Sequence, residues 1–321
     1  MRSKIIAEIG NNHEGSLAVA LELVEQAANA GADYAKFQWI KPAELVDRSQ
    51  EDRIRQLNQF CLNFQDFEKI SQHCKDVGIK FLASSFSLSA SRELRTLSHS
   101  IKISSSDNNY QDLIEYNLEH FDEVFISLGN IEPAKIQDKV CELINLWRKS
   151  KDKIHFLHCV SQYPTKLDHA SMDIFKNLKK YFPDYNIGYS DHTEGLSAAF
   201  YAISHGASVV EKHFTLDKNY SDFRDHQLSA DISELRQLTD FRDNLTTMTQ
   251  ELSQAVAVNT QLHRFAHAQM DLKKGQLITV SDIAWLRNSS ADGICDRKLI
   301  IGAKLATDIT AGSAIQLDNL L

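Results

Sequence analysis

The chain has 321 residues, of which 43% are apolar and 24% are charged, and its formal net charge is −8. This length suits one large barrel, or a barrel with a small appendage. A negative charge without basic clusters argues against nucleic acid and anionic membranes as partners. No apolar run approaches the roughly 18 residues of a membrane span, and the first apolar run is too short for a signal peptide, so we expect a cytoplasmic protein. Five scattered cysteines indicate reduced thiols rather than disulfides or a zinc site.

Short β-branched runs alternate with amphipathic segments along most of the chain, which predicts successive βα units and a parallel sheet. The predicted strands span residues 4–9, 33–38, 79–84, 100–104, 123–128, 153–159, 185–190 and 208–214. Eight such units in about 250 residues match the usual size of a (β/α)8 TIM barrel. A doubly wound open sheet is the alternative.

Helical spacing of apolar residues is clear in three of the connecting segments. After Ser16, which is a predicted cap, the pattern runs to Gly31, where the helix should stop. Residues 64–78 follow the same rule and end on a glycine. The last helix, roughly 231–255, begins with DISE, in which Ser233 is the predicted cap.

The chain changes character near residue 262, where long helical patterns stop and an internal repeat begins. Residues 271–283 resemble residues 308–320, with aspartate, glycine and isoleucine at matching positions. Two related halves predict a small β-rich module with pseudo-twofold symmetry. We therefore predict a catalytic barrel domain at 1–258 and a β-rich domain at 262–321, with the boundary in the polar stretch 256–261.

Two histidines follow the last two predicted strands of the barrel. Catalytic groups of parallel barrels project from the carboxyl ends of the strands, and the seventh and eighth strands are neighbours. His192 and His213 should therefore converge. Adjacent imidazoles suit a divalent ion such as Mn, Fe, Co or Zn, with the other positions left to water and substrate oxygen. For either residue alone, a hydrogen-bonded histidine at a strand end is the alternative.

Lysines and serines end several of the other strands. Lys36 and Lys102 emerge from apolar runs, where an ammonium is costly unless an anion meets it. Glu8 is a candidate for orienting water or moving a proton, with an ion pair to Lys36 as the alternative. Nucleotide-binding glycine loops are absent, which argues against ATP and NAD. Hydroxyl donors complete a predicted cradle for phosphate and carboxylate: Ser84, Ser105, Ser127, Ser161 and Ser190.

Six segments carry a family likeness. In chain order they are IIAEIGNNHEGSL, GADYAKFQ, IKISSSDNN, LHCVSQYPT, IGYSDHTEG and VVEKHFTLD. Together they resemble the N-acetylneuraminate (sialic acid) synthase family, including the legionaminic and pseudaminic acid synthases. The terminal module resembles the antifreeze-like (SAF) domain that follows the barrel in these enzymes. The pairing of YSDHT with EKHFT is the most specific of these signals.

The resemblance implies a transferase that condenses phosphoenolpyruvate with an open-chain N-acylated hexosamine, such as N-acetylmannosamine, and releases phosphate by C–O cleavage. A divalent metal ion bound by His192 and His213 would polarise the sugar aldehyde. The expected ion is Mn, and Mg, Co and Fe are the alternatives. Glu8 would manage water or a proton, Asp225 would bind sugar hydroxyls, and Arg287 would reach the N-acyl group across a domain-swapped homodimer. By motif, phosphoenolpyruvate would be held by Lys36, Lys102, Ser105, Ser127 and Ser190.

Some segments depart from the family pattern. The sequence has SLGN where S-T-G-M is usual, SSSD after Lys102, and RNSSADG after Arg287; Phe223 and Arg224 replace a common Gly-Pro. These departures touch the walls of the sugar site, so N-acetylmannosamine and 2,4-diacetamido sugars both remain candidate acceptors. Two other functions also remain open: another metal-dependent barrel aldolase or synthase that uses phosphoenolpyruvate or pyruvate, and a barrel scaffold without catalysis.

Overall fold

The computed structural model describes residues 2–146, 151–221, 223–249, 263–287 and 293–321, without the side chain of Arg224. These residues belong to two compact units, Met1–Gln250 and Glu251–Leu321. The predicted boundary at 256–261 lies outside the described residues and stays a prediction. Over the described ranges, none of the helices combines the length and apolar character needed to cross a bilayer.

The first unit is a closed barrel of eight parallel strands in sequential order. Pairing of β1 with β8, which sets Glu8 opposite His213, closes the barrel and excludes an open doubly wound sheet. Each observed strand lies within one or two residues of its predicted bounds, so the predicted TIM barrel is confirmed. The strands are β1 Lys4–Gly10, β2 Tyr34–Trp39, β3 Lys80–Ser85, β4 Ser100–Ile103, β5 Glu123–Ser127, β6 Ile154–Cys159, β7 Asn186–Asp191 and β8 Val209–His213.

The described helices lie mainly on the outside of the barrel. They are α1 Leu17–Asn29, α2 Pro42–Leu45, α3 Glu51–Phe60, α4 Phe64–Val77, α5 Leu88–Leu94, α6 Gln111–His120, α7 Ile136–Leu146, α8 Met172–Tyr181, α9 Ser197–Ser204, α10 Arg224–Leu228 and α11 Ile232–Met248. Short 3₁₀ turns span Pro133–Lys135, Leu167–His169, Val280–Asp282, Arg297–Leu299 and Leu317–Asn319.

The predicted helix ends are confirmed at two helices and corrected at a third. Ser16 accepts a hydrogen bond from the amide of Val19 and caps α1. Gly78 ends α4 in the left-handed conformation, with φ +80°, where a side chain would be strained. At α11 the cap is Asp231, which forms a capping box with Glu234, and not the predicted Ser233. Asp231 is the cap because its extended backbone places the carboxylate within hydrogen-bonding distance of the first free amides.

The amino-terminal ends of the strands enclose a cluster of polar groups around Glu123. This carboxylate accepts hydrogen bonds from Lys4, Tyr34 and Ser100, and it lies 2.9 Å from Nε2 of His155. Burial raises the pKa of Glu123, but the contacts with His155, Lys4 and Tyr34 outweigh burial and leave this pKa well below its ordinary value. The cluster lies at the end of the barrel that normally serves stability.

Glu123→Gln is expected to lower the free energy of unfolding by about 3 kcal/mol at pH 7, because it removes the charge that these donors share. The depressed pKa means that the carboxylate stabilises the fold above its unfolded pKa of about 4.3 and loses that contribution as the pH falls toward its folded value. Urea unfolding at several pH values between 7 and 3.5 measures this. The difference in free energy of unfolding between wild type and Glu123→Gln should decrease below about pH 4.5. A gap that stays constant with pH would contradict this assignment.

The second unit contains a two-stranded antiparallel sheet, formed by β9 Phe265–Ala268 and β10 Ile283–Leu286. Its apolar core is separate from that of the barrel and is rich in isoleucine: Ala266, Ala268, Leu272, Ile278, Ile283, Ile294, Ile300, Leu305, Ile309 and Ile315. The β-rich prediction for this part of the chain is confirmed.

The two repeats of the second unit bond to each other reciprocally. Leu272 and Ile309, which occupy equivalent positions, exchange backbone hydrogen bonds of 2.8 and 2.9 Å. The aspartate that opens each half accepts from a backbone amide of the other half: Asp271 from Ala311 at 2.8 Å and Asp308 from Lys274 at 2.7 Å. This exchange is the predicted pseudo-twofold symmetry.

Candidate active site

The barrel interior has an apolar layer followed directly by a polar layer, two residues further along the strands. A layer near the amino-terminal ends contains Ile6, Tyr34, Leu82, Phe125, Leu157 and Val209. Alternate side chains of a strand face the same side, so the residue two positions further on enters the next interior layer. Those residues are Glu8, Lys36, Ser84, Ser127, Cys159 and Glu211. The sequence therefore builds a buried polar layer directly on an apolar plug.

A cavity of about 870 Å³ opens above the plug, at the carboxyl ends of the strands. It brings together every barrel residue that the sequence singled out for the site: Glu8, Lys36, Ser84, Lys102, Ser105, Ser127, Ser161, Ser190, His192, His213 and Asp225. Arg287 lies in the second unit, directly after β10, and is exposed. The individual roles of these residues stay predictions.

Two lysines and two glutamates form a buried charge cluster on the cavity floor. Lys36 Nζ donates to Glu8 at 2.6 Å and lies 3.7 Å from Glu211. Lys102 Nζ lies 2.9 Å from both carboxylate oxygens of Glu211. The predicted Glu8–Lys36 pair is present, and the anions that meet the lysines are the protein's own carboxylates. The four formal charges cancel.

Three groups of this cluster, Glu8, Glu211 and Lys102, have pKa values shifted in different directions. Burial raises the pKa of Glu8, and the charge of Lys36 only partly offsets burial. Burial also raises the pKa of Glu211, but Lys102 and Lys36 outweigh burial and leave this pKa below its ordinary value. At Lys102 burial prevails and lowers the pKa despite Glu211. Glu8 is therefore the carboxylate that most readily accepts a proton, and Lys102 is the ammonium that gains most from a further anion.

Glu211 is the main residue that the sequence reasoning missed. Glu211 is 4% exposed, and its carboxylate lies within 4 Å of both Lys36 and Lys102 and accepts a hydrogen bond of 2.9 Å from Ser190 Oγ. A signal was present, because Glu211 precedes His213 by two positions in the same strand and must share its face. Other cavity residues were also missed: Arg53, Gln56, Phe60, Asn130 and Tyr163.

The two histidines converge as the strand order predicts. The ring centroids of His192 and His213 are 5.4 Å apart, and the ring of Tyr163 packs 4.1 Å from His192. Nδ1 of His192 lies 2.7 Å from the carbonyl of Val160, so in the neutral ring Nδ1 carries the hydrogen and Nε2 keeps its lone pair. Burial holds the pKa of His213 well below its ordinary value, and a protonated His192 would lower this pKa further, so His213 is a neutral imidazole.

A buried ion pair lies directly behind the histidines. Lys212 Nζ donates to Asp191 at 3.1 Å and to the carbonyl of Thr193, and the amide of Thr193 donates to Asp191 at 2.8 Å. Asp191 precedes His192, and Lys212 precedes His213. The pair thus ties the ends of β7 and β8 together and fixes the separation of the two imidazoles.

Serine hydroxyls gather around Gly129 in the loop after β5. A Cβ added at Gly129 would lie 2.4 Å from Oγ of Ser161 and 2.5 Å from Oγ of Ser105, so a side chain there would displace these hydroxyls. Ser161 Oγ is buried and has no hydrogen-bond partner among the described residues. Asn108 fixes the loop by donating to the carbonyls of Ser127 and Gly129 at 3.2 and 2.8 Å. The result is a hydroxyl-lined hollow beside Lys102.

The donor set of the histidine pair fits a divalent metal ion. Nδ1 of His213 is buried without a hydrogen-bond partner in the described part of the chain, an arrangement that is costly unless a ligand meets it. No group of three or more His, Cys, Asp or Glu side chains within the described ranges is arranged to hold a metal. His192 and His213 would therefore supply two nitrogen ligands, and water and substrate would supply the rest.

Two family models match this chain. The model of the NeuB family matches residues 23–254. The chain belongs to the NeuB family. The model of the SAF domain matches residues 263–321, which lie within the second unit. The resemblance inferred from the six sequence segments is confirmed.

Named relatives align with most of the chain. An N,N'-diacetyllegionaminic acid synthase of Campylobacter jejuni is 29% identical and aligns over 91% of this chain and 92% of its own. The human N-acetylneuraminate-9-phosphate synthase is 28% identical over 86% of this chain and 80% of its own. The crystal structure of an N-acetylneuraminic acid synthetase from Leptospira borgpetersenii has a TM-score of 0.72 and 27% identity, over 80% of this chain and 88% of that one.

Proposed function

We propose that the protein is a nonulosonic acid synthase, which condenses phosphoenolpyruvate with an open-chain N-acylated hexosamine and releases phosphate. The observation that carries the proposal is one cavity in which a histidine pair lies beside a lysine and serine cradle. Membership in the NeuB family, whose relatives are named as synthases of sialic-type acids, supports the same reaction. The enzyme would be a transferase.

The charge balance of the floor supports an anionic substrate together with a divalent cation. The charges of Glu8, Glu211, Lys36 and Lys102 sum to zero. Phosphoenolpyruvate carries roughly three negative charges, so the cluster alone cannot neutralise it. Serine hydroxyls that donate to phosphate oxygens and a cation on the two imidazoles would supply what is missing.

The residues divide the reaction between binding and proton transfer. Lys36, Lys102 and the serines around Gly129 would hold the phosphate and carboxylate while carbon 3 of the enol attacks the sugar aldehyde. Water then adds to carbon 2, and the C–O bond to phosphate breaks. Glu8, whose pKa is raised by burial, would accept one proton of that water and pass it to the former aldehyde oxygen, while the second proton leaves with the phosphate as the C–O bond breaks. Lys36, which donates to Glu8 at 2.6 Å, would hold this carboxylate in position. Asp225 lines the same cavity and would bind sugar hydroxyls.

We further propose that the protein binds a divalent metal ion. The expected ion is Mn, and Mg, Co and Fe are the alternatives. Its contribution would be Lewis acidity toward the aldehyde oxygen. His213, kept neutral by burial, and His192, with Nε2 left available by Val160, would hold it.

A cytoplasmic location also belongs to the proposal. The cysteines of the chain are free, which suits a reducing compartment: Cys61, Cys74, Cys141, Cys159 and Cys295.

A phosphate-release assay tests the function. Purified protein, treated with chelator and then supplied with Mn, is given phosphoenolpyruvate and either N-acetylmannosamine or a 2,4-diacetamido sugar. Release should require both a sugar and the metal. In water labelled with oxygen-18, C–O cleavage places the label in the sugar acid and leaves the phosphate unlabelled. Labelled phosphate, or release without any sugar, would contradict the proposal.

The same assay separates the rival functions. A barrel aldolase that uses pyruvate would form product from pyruvate and sugar without phosphate release. A scaffold would bind neither phosphoenolpyruvate nor Mn. The intact pairs of lysines and histidines in the cavity favour catalysis over a scaffold, because a buried ion-pair cluster is often less stable than apolar residues of similar volume and a scaffold has no use for it.

A domain-swapped homodimer, in which Arg287 serves the partner's sugar site, is the remaining part of the proposal. Arg287→Ala should raise the KM for the sugar at least about tenfold and leave the KM for phosphoenolpyruvate unchanged, because the lost guanidinium contact concerns the sugar alone. Co-expression of Arg287→Ala with His213→Ala should restore about a quarter of wild-type activity, since half of the dimers are hybrid and each has one intact site. A mixture no more active than its components would contradict the swap.

A further inference from the structure

Asp225 reaches the cavity from a helix that is too short to be stable by itself. The chain that follows β8 is fastened at its base, where Ala230 donates to the carbonyl of His213 at 2.7 Å and accepts from the amide of Thr215 at 3.0 Å. Between these points lies α10, Arg224–Leu228, which has five residues. Helices shorter than about 12 residues are marginal in water unless other contacts hold them. Contacts from elsewhere in the chain must therefore keep Asp225 in place.

The start of α10 lacks the usual local support. Phe223 precedes the helix, and its side chain makes no capping hydrogen bond. Its ring instead packs against Phe60 at the rim of the cavity, with centroids 5.2 Å apart. The first helical position is Arg224 rather than a proline, whose fixed φ would favour the helix before folding. The first turn is thus neither capped by Phe223 nor pre-organised.

Glu14, in the loop after β1, supports α10 from outside. Its carboxylate accepts hydrogen bonds from Ser221 Oγ and from Nε2 of His226, the latter at 3.1 Å. Ser221 Oγ in turn accepts from the amide of Phe223 at 3.1 Å. His226 directly follows Asp225 and is 1% exposed. One carboxylate therefore holds the chain on both sides of Asp225.

The loop after β1 is itself held tightly. A Cβ at Gly15 would lie 2.7 Å from the carbonyl oxygen of Gln59, so this loop packs closely against the end of α3. Asn12, in the same loop, donates to Ser229 Oγ at 3.0 Å, and Ser229 donates to the carbonyl of Asp225 at 2.5 Å. The loop is therefore a fixed support for the segment that carries Asp225.

The backbone of Glu14 is strained. Its φ is +46°, a left-handed conformation that residues with a Cβ rarely adopt and that glycine adopts at little cost. Strained residues persist where the surrounding contacts hold them, and they concentrate at functional sites. Glu14 does not belong to the cavity lining, so contact with a substrate does not account for the strain. What a glycine at this position could not provide is the contact with Ser221 and His226.

We infer that Glu14 is a positioning residue for the acceptor sugar. By holding Ser221 and His226 it orients Asp225, and it thereby sets the affinity for the sugar without contacting the sugar. The inference rests on the proposed function, in which Asp225 binds sugar hydroxyls. The lysines and histidines of the cavity lie on the strands or directly after them, so the positions of the phosphoenolpyruvate and metal groups do not depend on Glu14.

Kinetics of phosphate release separate the two substrates. With N-acetylmannosamine or the 2,4-diacetamido sugar, whichever wild type uses, Glu14→Ala should raise the sugar KM about tenfold and leave the KM for phosphoenolpyruvate within about twofold. Glu14→Gln should stay near wild type, because its amide oxygen can accept from the same two donors. Lys218→Met is the matched control. It removes a contact of 2.7 Å between the same segment and Glu234 on α11, and it should leave the sugar KM unchanged.

Glu14→Gly separates positioning from stability. Glycine relieves the strain, so this variant should melt at or above the temperature of Glu14→Ala, yet its sugar KM should be raised at least as much. Hydrogen exchange of the α10 amides should be about tenfold faster in both variants and unchanged in Glu14→Gln. A sugar KM that follows the melting temperature instead would leave Glu14 with a structural role only.

Arg224→Pro tests directly whether Glu14 acts through α10. Phe223 has φ −66° and ψ 118°, a backbone conformation that suits the position before a proline, and Arg224 is the first residue of the helix. In the Arg224→Pro background, Glu14→Ala should raise the sugar KM only about threefold, because the proline then organises the first turn.

Three results would overturn the inference: a sugar KM unchanged by Glu14→Ala, an equal increase in Lys218→Met, or an equal effect of Glu14→Ala with and without the proline. Each would leave the synthase function intact. Absence of release by wild type with every sugar would instead remove the proposed function. Hydrogen exchange would then decide by itself whether Glu14 holds α10, and exchange that Glu14→Ala leaves unchanged would show that it does not.

Discussion

His213→Ala is expected to abolish Mn binding and to lower phosphate release at least about a thousandfold, which corresponds to losing several kcal/mol of electrostatic stabilisation in the transition state. The reason is the donor count. The described residues contain no group of three or more His, Cys, Asp or Glu side chains that could hold a metal, so the proposed site depends on two imidazoles. In the same part of the chain, Nδ1 of His213 lacks a protein partner. A single remaining histidine cannot retain the ion against water.

The fold should tolerate this change. Removing an imidazole with an unpartnered Nδ1 eliminates an unfavourable group and leaves a hole that opens into the cavity, where water can fill it. Calorimetry with Mn, calorimetry with phosphoenolpyruvate, and thermal melting separate the outcomes: metal binding is lost, the substrate is still bound, and the melting temperature changes little.

His158→Gln is the matched control. His158 is buried in the neighbouring strand β6 and contacts the carbonyl of Ala170 at 2.9 Å, but it does not line the cavity. Its variant should bind Mn as wild type does. Retention of Mn affinity by His213→Ala, or its loss in His158→Gln, would show that the histidine pair is not the metal site.

The eight strands could be predicted because a closed parallel barrel leaves an unambiguous pattern. Both faces of each strand are covered, so the runs are apolar and β-branched, and polar residues concentrate where the strands end. Helix α3 was not predicted. Leu57 is its one buried residue, and the sequence EDRIRQLNQF has only three apolar residues, Ile54, Leu57 and Phe60, among polar and charged ones. That helix nevertheless places Phe60 at the rim.

The site could be predicted wherever it depends on strand order alone. His192 and His213 meet because β7 and β8 are neighbours, and Lys36 faces Glu8 because β1 and β2 pair in that register. Strand order alone did not predict the partner of Lys102. Glu211 reaches it across the barrel interior, and strand adjacency does not specify contacts across a barrel. The Phe60–Phe223 contact likewise depends on two loops whose paths the sequence pattern leaves open.

Glu211→Gln is expected to lower the free energy of unfolding by about 3 kcal/mol, because it leaves two buried lysines with one carboxylate between them. Lys102 suffers most, since burial already lowers its pKa and Glu211 is its bound partner. Thermal or urea unfolding of the ligand-free protein measures the loss.

The distinguishing result is the response of this variant to anions. If Lys36 and Lys102 face the phosphoenolpyruvate site, a bound anion replaces the missing charge and restores part of the lost stability. Phosphoenolpyruvate or inorganic phosphate should then raise the melting temperature of Glu211→Gln more than that of wild type, and the KM for phosphoenolpyruvate should fall or stay the same while kcat falls about tenfold.

Glu123→Gln provides the comparison, because it also removes a buried carboxylate that cationic and hydroxyl donors surround, but at the opposite end of the barrel. Anions should not rescue it beyond the wild-type response, since the apolar layer of Phe125 and its neighbours separates its cluster from the cavity. Equal rescue of both variants would mean that phosphate acts on the whole protein and not at the floor lysines. Rescue of Glu211→Gln alone would make those lysines the anion site and Glu211 the internal anion that holds their charge until the substrate arrives.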